Sequence, residues 1–213
     1  MVKTAILVSG SGTNLQAIID SHIFGEIKNC ELAAVISSNP DAYALQRAHF
    51  ANIPSYVVDA KIFPNRLSFT KAILDKLQDL EIGLVVYAGF NFILGPTLIK
   101  AYENAIINVH PSLIPSFCGD GYYGLRAHEA VLAYGAKVTG ATVHFATEEA
   151  DAGPIIIQKA VDVLEGDTAQ SLQRRVMEEA EWKILPEAIS LFCEGRLQVQ
   201  GRNVHIKESS DEK

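Results

Sequence analysis

The first half of the chain alternates short apolar runs with segments in which apolar residues have a helical spacing. The apolar runs predict strands at 5–8, 31–38, 55–58, 84–87 and 105–109. The helical spacing, seen for instance at Leu15, Ile18 and Ile19, predicts helices at 14–21, 42–51, 66–80 and 97–102. Strands that alternate with helices are typical of βαβ units. The pattern therefore predicts an α/β fold, with an open, mostly parallel, twisted sheet and helices on both of its faces.

The second half predicts a different arrangement. After a loop rich in proline and glycine at 111–124, the pattern predicts a helix at 126–134 and two longer strands at 137–146 and 155–163. We expect these two strands to pair with each other. The sheet is therefore expected to gain an antiparallel part in the C-terminal half of the chain.

A long helix is predicted from Thr168 to about Cys193. Asp167 is its expected N-cap, with Gln170 at the third helical position and Gly195 as the stop. Pro186 is expected to kink the helix or to split it, because proline donates no backbone hydrogen bond. No repeat or linker divides the sequence. We expect one domain over 1–207, with halves at 1–104 and 105–207, followed by a polar tail at 208–213.

The composition is that of an ordinary globular chain of 213 residues, 48% hydrophobic and 20% charged. A chain of this length buries enough surface to fold without disulfides or structural metal ions. Its net charge of −7 argues against a nucleic-acid partner, because neutralising phosphates dominates such affinities. The three cysteines are far apart, which is typical of reduced thiols in the cytoplasm.

Neither a membrane span nor a secretory signal is predicted. The stretch from Ile82 to Ile99 is uncharged and long enough for a membrane helix, but Gly89, Gly95 and Pro96 interrupt it. The opening MVKTAILVSGSG has too few apolar residues for a secretory signal. We therefore expect a cytoplasmic protein without a membrane partner.

A glycine-containing turn, Ser9-Gly10-Ser11-Gly12-Thr13-Asn14-Leu15, lies between the first predicted strand and helix. Glycines there let the backbone approach an anion at the helix N-terminus, where unpaired N–H groups favour a phosphate. The turn is not a Walker loop, because no Gly-Lys-Ser/Thr follows. It is not a complete dinucleotide motif either, since Leu15 occupies the third glycine position. A cradle for one phosphate and a plain tight turn both remain open.

Asn108 and His110 lie two residues apart at the end of the fifth predicted strand, so both side chains face the same side. Ligands of open α/β sheets bind at this end of the strands. An asparagine amide can donate to a developing oxyanion while a histidine moves a proton, a pair that suits acyl transfer. The alternative is a structural histidine bonded to a loop carbonyl, with Pro111 only ending the strand.

Asp151 begins the segment Asp-Ala-Gly-Pro between the two paired strands of the second half. A carboxylate fixed there can orient a histidine and stabilise its charged form. A turn aspartate bonded to its own backbone is the alternative. No G-x-S-x-G segment supplies a hydrolase nucleophile. His110, His128 and His144 lack the spacing of a zinc motif, so no metal is expected.

Together these motifs make the chain resemble the folate-dependent formyltransferase superfamily, and within it most nearly the phosphoribosylglycinamide formyltransferase family. The resemblance rests on six segments in family order: VSGSGTNLQAII, VVYAGFNFIL, IINVHPSLIPSF, VTGATVHF, EEADAGPIIIQ and EAEWKILP. The combination of Asn-x-His-Pro-Ser-Leu with Asp-x-Gly-Pro is its most specific part. The resemblance implies a Rossmann-like formyltransferase fold, with a phosphate-binding half at 1–104 and a catalytic, folate-binding half at 105–207.

The resemblance also implies a reaction and residue roles. The formyl group of 10-formyltetrahydrofolate would pass to the amine of phosphoribosylglycinamide in purine synthesis, without a covalent enzyme intermediate. His110 would be the general acid and base, Asn108 the oxyanion donor, and Asp151 the group that orients His110. The residues that would bind the ribonucleotide are Gly12, Thr13, Asn14 and Glu181.

The folate would contact one helix, one strand and two loops. The implied residues are Arg66 on the third helix, Asn108, then Asn91, Phe92, Ile93 and Leu94 in the first loop, and Thr147, Glu148, Glu149, Ala150 and Asp151 in the second. The first loop commonly reads Met-Arg-Ile-Leu in the family, so its folate contacts are expected through the backbone. The segment 118–124 is a few residues longer than in many relatives.

Two other functions remain open. A 10-formyltetrahydrofolate hydrolase shares the Asn, His and Asp, but usually carries an additional N-terminal regulatory domain, whereas the first strand here is expected from residue 2. A non-catalytic nucleotide-binding α/β module would bind ligands without turnover. The expected partners are small molecules rather than nucleic acid or membrane, and a monomer or a homodimer is compatible with the sequence.

Overall fold

The computed structural model describes residues 1–208, which form two compact units. The first unit ends at Asn108 and the second begins at Val109. Of the polar tail expected at 208–213, only Glu208 is among the described residues, and it is exposed.

The first unit is a parallel α/β sheet, which confirms the prediction from the alternating pattern. Its strands are hydrogen-bonded in the order β3-β2-β1-β4-β5, and each of these pairings is parallel. The strands are β1 (Val2–Val8), β2 (Cys30–Ser37), β3 (Ser55–Val57), β4 (Leu84–Tyr87) and β5 (Ile106–His110). The last two residues of β5 belong to the second unit.

Helices cover both faces of this sheet. All four residues of β4 and the last five of β1 are buried, rather than every second residue, as expected for a sheet that is packed on both sides. The connecting helices are α1 (Thr13–Ile23), α2 (Ala44–Phe50), α3 (Arg66–Asp79) and α4 (Pro96–Ala101). A short 3-10 turn at Ala60–Ile62 was not predicted.

The strand order determines where ligands can approach the first unit. The chain leaves β1 towards β2 on one side, whereas β4 pairs with β1 on the other side. Connections that diverge in this way open a crevice at the carboxyl ends of the two strands. The glycine turn (residues 9–14) follows β1, and a loop (residues 89–94) follows β4, so both lie at this edge.

The second unit contains the antiparallel strands that the sequence predicted, and a hairpin that it did not. After α5 (Leu125–Tyr134), β6 (Val138–Phe145) pairs antiparallel with β7 (Ile155–Asp162). The unpredicted hairpin is β8 (Leu197–Gln200) with β9 (Asn203–Ile206), and β9 adjoins β7 through a parallel pairing of Ile155 with Asn203.

The predicted N-cap of the long helix was wrong. The helix begins as α6 (Ala169–Val176), and the Thr168 side chain accepts from the N–H of Ser171, whose hydroxyl accepts from the N–H of Thr168. Asp167 is therefore not the cap, and Gln170 is not at the third position. The Asp167 carboxylate instead binds both terminal nitrogens of Arg175, at 2.6 and 2.7 Å, which leaves the cap to the threonine.

The long helix is interrupted, but not at Pro186. A π-helical turn, Met177–Glu181, separates α6 from α7 (Trp182–Cys193), and Pro186 lies inside α7. A proline clashes with the carbonyl four residues earlier, which is that of Trp182, so the irregular turn ends directly before the residue that Pro186 affects. No helix among residues 1–208 is long and apolar enough to cross a membrane.

Candidate active site

His110 ends β5 and is nearly fully buried, with 4% of its surface exposed. Its Nδ1 lies 3.3 Å from Oδ2 of Asp151, and its Nε2 lies 2.9 Å from the carbonyl oxygen of Phe117. A carbonyl oxygen can only accept, so Nε2 carries a hydrogen in this contact. Both contacts are satisfied at once only when both ring nitrogens are protonated.

The surroundings of His110 contain both arrangements that the sequence left open. A loop carbonyl does bind the ring, while the Asp151 carboxylate contacts its other nitrogen. Burial lowers the pKa of His110, whereas Asp151 and the Phe117 carbonyl act to raise it without reversing the shift. Burial therefore favours the neutral ring, while the acceptor at each ring nitrogen favours taking up a proton.

Asp151 is held as an anion that faces two histidines. Burial alone would raise its pKa, but His144, His110 and the N–H of Gly119 together lower the pKa of the carboxyl. The Gly119 N–H donates to Oδ2 at 2.9 Å, and Nε2 of His144 lies 3.6 Å from Oδ1. The residue has a φ of 52°, which is uncommon for a side chain with a Cβ. A charged carboxylate so placed stabilises the protonated form of His110.

The turn after Asp151 requires a glycine at position 153. A Cβ at this position would overlap the carbonyl group of Phe145. The N–H of Phe145 donates to the Pro154 carbonyl at 2.9 Å, and Nδ1 of His144 donates to the Phe145 carbonyl at 2.9 Å. This close approach of two backbones therefore keeps the Asp151 turn beside the end of β6.

Side chains of β6 and β7 hold the loop that follows His110. The Thr142 hydroxyl donates to the Ser112 carbonyl at 2.7 Å and accepts from the Ile114 N–H at 3.0 Å. Nε2 of Gln158 donates to the Ile114 carbonyl at 3.0 Å. These contacts fix the path of the loop on its way to Phe117.

No catalytic or positioning role was predicted for His144, Phe117 or Gly119. His144 had one signal in the sequence, since it alternates with Thr142 on one face of β6.

His128 is fully buried on α5, and neither ring nitrogen has a hydrogen-bond partner. Burial and the charge of His110 lower the pKa of His128 to about 4. Within residues 1–208, no three His, Cys, Asp or Glu side chains are arranged so that they could hold a metal ion.

The glycine turn requires a glycine at position 12, where α1 begins. Gly12 is the N-cap of α1, with φ 72° and ψ 34°, and a Cβ there would lie 2.7 Å from Cβ of Ala44. No other residue fits this position without displacing α2. α1 begins at Thr13, and the first N–H groups of a helix have no acceptor within the helix itself, which favours an anion near a helix start.

The remaining candidates lie on separate elements. Asn108 is half-buried on β5, opposite Tyr87 of β4, and Glu181 is 6% exposed at the end of the π-helical turn. Arg66 is the exposed first residue of α3. In the loop at 89–94, Phe92 packs with its ring centroid 5.2 Å from that of Phe69. Of the second predicted loop, residues 147–149 are exposed, whereas Ala150 and Asp151 are half-buried.

Comparison with known proteins decides the family. The family model described as formyl transferase matches residues 2–189. The chain belongs to the formyl transferase family. Membership agrees with the buried His110–Asp151 pair, because formyl transfer is an acyl transfer that needs a proton carrier.

Individual relatives of this formyl transferase cover nearly its whole length. The phosphoribosylglycinamide formyltransferase of Haemophilus influenzae is 41% identical over 206 residues, which are 97% of this chain and 94% of that protein. The trifunctional purine biosynthetic protein adenosine-3 of Gallus gallus is 42% identical over 198 residues, but the chain spans only 19% of its length. The crystal structure of glycinamide ribonucleotide transformylase 1 from Symbiobacterium toebii superposes with a TM-score of 0.92 at 45% identity, covering 98% of this chain and 95% of that one.

Proposed function

We propose that the protein transfers the formyl group of 10-formyltetrahydrofolate to the amine of phosphoribosylglycinamide. The products are formylglycinamide ribonucleotide and tetrahydrofolate, in purine biosynthesis. The observation that carries the proposal is the contact of the buried His110 ring with the Asp151 carboxylate. The names of the relatives support phosphoribosylglycinamide as the acceptor, and the resemblance of the sequence motifs implies formyl folate as the donor.

The proton transfers follow from this pair. As the amine nitrogen bonds to the formyl carbon, neutral His110 takes the proton that the nitrogen loses. The formyl oxygen becomes an oxyanion, to which the Asn108 amide donates. When the bond from the formyl carbon to N10 of the folate breaks, His110 returns its proton to N10. Asp151 stabilises the charged ring between the two steps.

The carbonyl of Phe117 must move before His110 can act. When Nδ1 carries the hydrogen of the neutral ring and donates to Asp151, Nε2 is the free base. The Phe117 carbonyl occupies that place, so the amine displaces it on binding. Phe117 has a φ of 50°, a left-handed conformation that is uncommon for a residue with a Cβ.

Substrate binding is assigned to the residues that the resemblance named. Gly12, Thr13 and Asn14 bind the phosphate, and Glu181 accepts from the glycinamide end of the ribonucleotide. The folate is bound by the loop that carries Asn91, Phe92, Ile93 and Leu94, by Arg66 and Asn108, and by the loop that carries Thr147, Glu148, Glu149, Ala150 and Asp151. We further propose a cytoplasmic protein that is a monomer or a homodimer, uses no metal and binds no nucleic acid.

The transfer is tested by mass spectrometry of the ribonucleotide after incubation with both substrates. The proposal predicts a ribonucleotide that carries one formyl group in place of one hydrogen. A ribonucleotide that stays unchanged while folate is consumed contradicts the proposal.

Gly12→Val is expected to raise KM for the ribonucleotide by about 10- to 100-fold. A change of this size corresponds to losing one or two hydrogen bonds to a charged group. The valine side chain must displace α2 at Ala44 and cannot easily keep the positive φ. KM for the folate should stay close to the wild-type value. Steady-state kinetics with each substrate varied in turn measures both constants.

Gly10→Ala is the matched control for this variant, because no atom lies within 4 Å of a Cβ at Gly10. It should leave both KM values near those of the wild type. If Gly12→Val instead raises KM for both substrates equally, the phosphate assignment is wrong.

A further inference from the structure

Ser9 lies between β1 and the rest of the glycine turn and is bonded to two other segments of the first unit. It is buried, with 8% of its surface exposed. Its N–H donates to the Gly89 carbonyl at 3.1 Å, and its Oγ accepts from the N–H of Asn91 at 3.0 Å. The same Oγ lies 2.7 Å from Oγ of Ser38. Ser9 thus joins the ends of β1, β2 and β4.

The two bonds to Gly89 and Asn91 connect the glycine turn to the loop at 89–94. The far end of this loop is anchored separately, since the Gly95 N–H donates to the Thr70 hydroxyl at 2.8 Å. Phe92 and Ile93, between the two anchors, are exposed. The position of the loop backbone at its start therefore depends on the Ser9 hydroxyl.

The rest of the glycine turn is bonded to α2. The Ala44 N–H donates to the Gly10 carbonyl at 3.1 Å, and Nε of Arg47 donates to the Ser11 carbonyl at 2.9 Å. The turn is thus held on one side by α2 and on the other by its bonds through Ser9.

We propose that Ser9 is a positioning residue that couples the binding of the two substrates. The inference rests on the proposed function, which assigns the phosphate to the glycine turn and the folate to the loop at 89–94. A phosphate that orders the turn keeps the Ser9 hydroxyl in its hydrogen bond with the Asn91 N–H. This bond holds the loop in the position that binds folate. Because coupling between two sites is reciprocal, folate tightens ribonucleotide binding by the same factor.

Three variants isolate the hydroxyl. Ser9→Ala removes the acceptor of the Asn91 N–H and leaves the backbone bond to Gly89. Ser38→Ala removes the other partner of the Ser9 hydroxyl but leaves its contact with Asn91, so it is the matched control. Ser9→Thr retains the hydroxyl and tests for rescue.

The coupling is measured by calorimetric titration of phosphoribosylglycinamide into the protein alone and into the protein saturated with tetrahydrofolate. Tetrahydrofolate carries no formyl group, so no reaction occurs. In the wild type we expect Kd to be at least about fivefold lower with the folate present, the lower end of ordinary coupling. Ser9→Ala should bring this ratio close to one, while Ser38→Ala and Ser9→Thr should keep it. A wild-type ratio of one, or an unchanged ratio in Ser9→Ala, overturns the proposal.

Failure of the proposed function has a different signature: phosphoribosylglycinamide then does not bind the wild-type protein, with or without tetrahydrofolate, and both proposals are overturned together. If Ser9→Ala does not fold, amide hydrogen exchange of the wild type decides. Phosphoribosylglycinamide alone should slow exchange at Asn91 and its neighbours in the loop. Unchanged exchange there overturns the coupling.

Discussion

His110→Ala is expected to lower kcat by about 10²–10⁴, the usual contribution of a positioned proton carrier. The KM values of both substrates should change far less, because the proposed phosphate and folate contacts are made by other residues. Steady-state kinetics with both substrates measures the change, and thermal unfolding checks that the variant is folded. His205→Ala, an exposed histidine on β9, is the matched control and should keep the wild-type rate.

The outcome that would contradict this role is specific. If His110→Ala keeps more than a tenth of the wild-type turnover, His110 is not the main proton carrier. The contact with Phe117 would then be the main role of the ring, as in a structural histidine bonded to a loop carbonyl.

Asp151→Asn is expected to lower kcat by up to about 10⁴, the loss that follows when the acid orienting a catalytic histidine is replaced by its amide. The asparagine oxygen can still accept from the Gly119 N–H, so the loop keeps its anchor. The imidazolium formed during the reaction, however, loses its neighbouring anion. Asp120→Asn removes an exposed charge from the same region and should leave kcat unchanged.

The pH profile separates this electrostatic role from a structural one. The base must be neutral, so kcat/KM of the wild type should fall as pH drops through the pKa of His110, which burial places below 6.5. The Asp151 charge raises that pKa, so its removal in Asp151→Asn should move the acid limb to lower pH. A limb that stays in place or moves to higher pH shows that Asp151 does not act on the charge of His110.

Much of the fold was predictable because it depends on local spacing. The strand predicted at 84–87 coincides with β4, and the helix predicted at 66–80 ends one residue after α3. The order of polar and apolar residues decides such elements, since their burial fixes which positions must be apolar. The paired strands of the second half were predicted for the same reason.

Other elements depend on contacts that the local pattern does not contain. In β8, Leu197 and Val199 alternate with two glutamines, a pattern typical of a half-buried strand, but the run is only four residues long. Asp167 and Thr168 are both good N-caps, and the choice between them is made by Arg175, eight residues further along the chain.

The candidate site also has features that the local sequence predicts and features that depend on tertiary contacts. Strand spacing predicts that Asn108 and His110 share one face. The position of Asp151 in a loop between two paired strands made it a candidate for orienting a histidine. That Asp151 reaches His110 was expected only from the resemblance, and the 3.3 Å contact is a tertiary fact. The roles of His144, Phe117 and Ser9 depend on backbone turns and on partners far along the chain, which include a bond from Asn91 to Ser9 across 82 positions.

The central claim is that the protein transfers a formyl group to an amine rather than to water. His110, Asn108 and Asp151 suit either acceptor, so the choice depends on a bound ribonucleotide that places its amine against the formyl carbon. Well-oriented reactants reach effective molarities of roughly 10⁵–10⁸ M, an advantage that water at the same carbon largely lacks.

The most direct test follows the absorbance change as 10-formyltetrahydrofolate becomes tetrahydrofolate, with and without phosphoribosylglycinamide. Fast consumption of 10-formyltetrahydrofolate is expected only with the ribonucleotide present. One formylated product should form for each tetrahydrofolate released. Glu181→Ala, which removes the proposed acceptor at the glycinamide end, should weaken this dependence. Fast consumption in buffer alone, unaffected by added ribonucleotide, would contradict transfer and indicate a hydrolase.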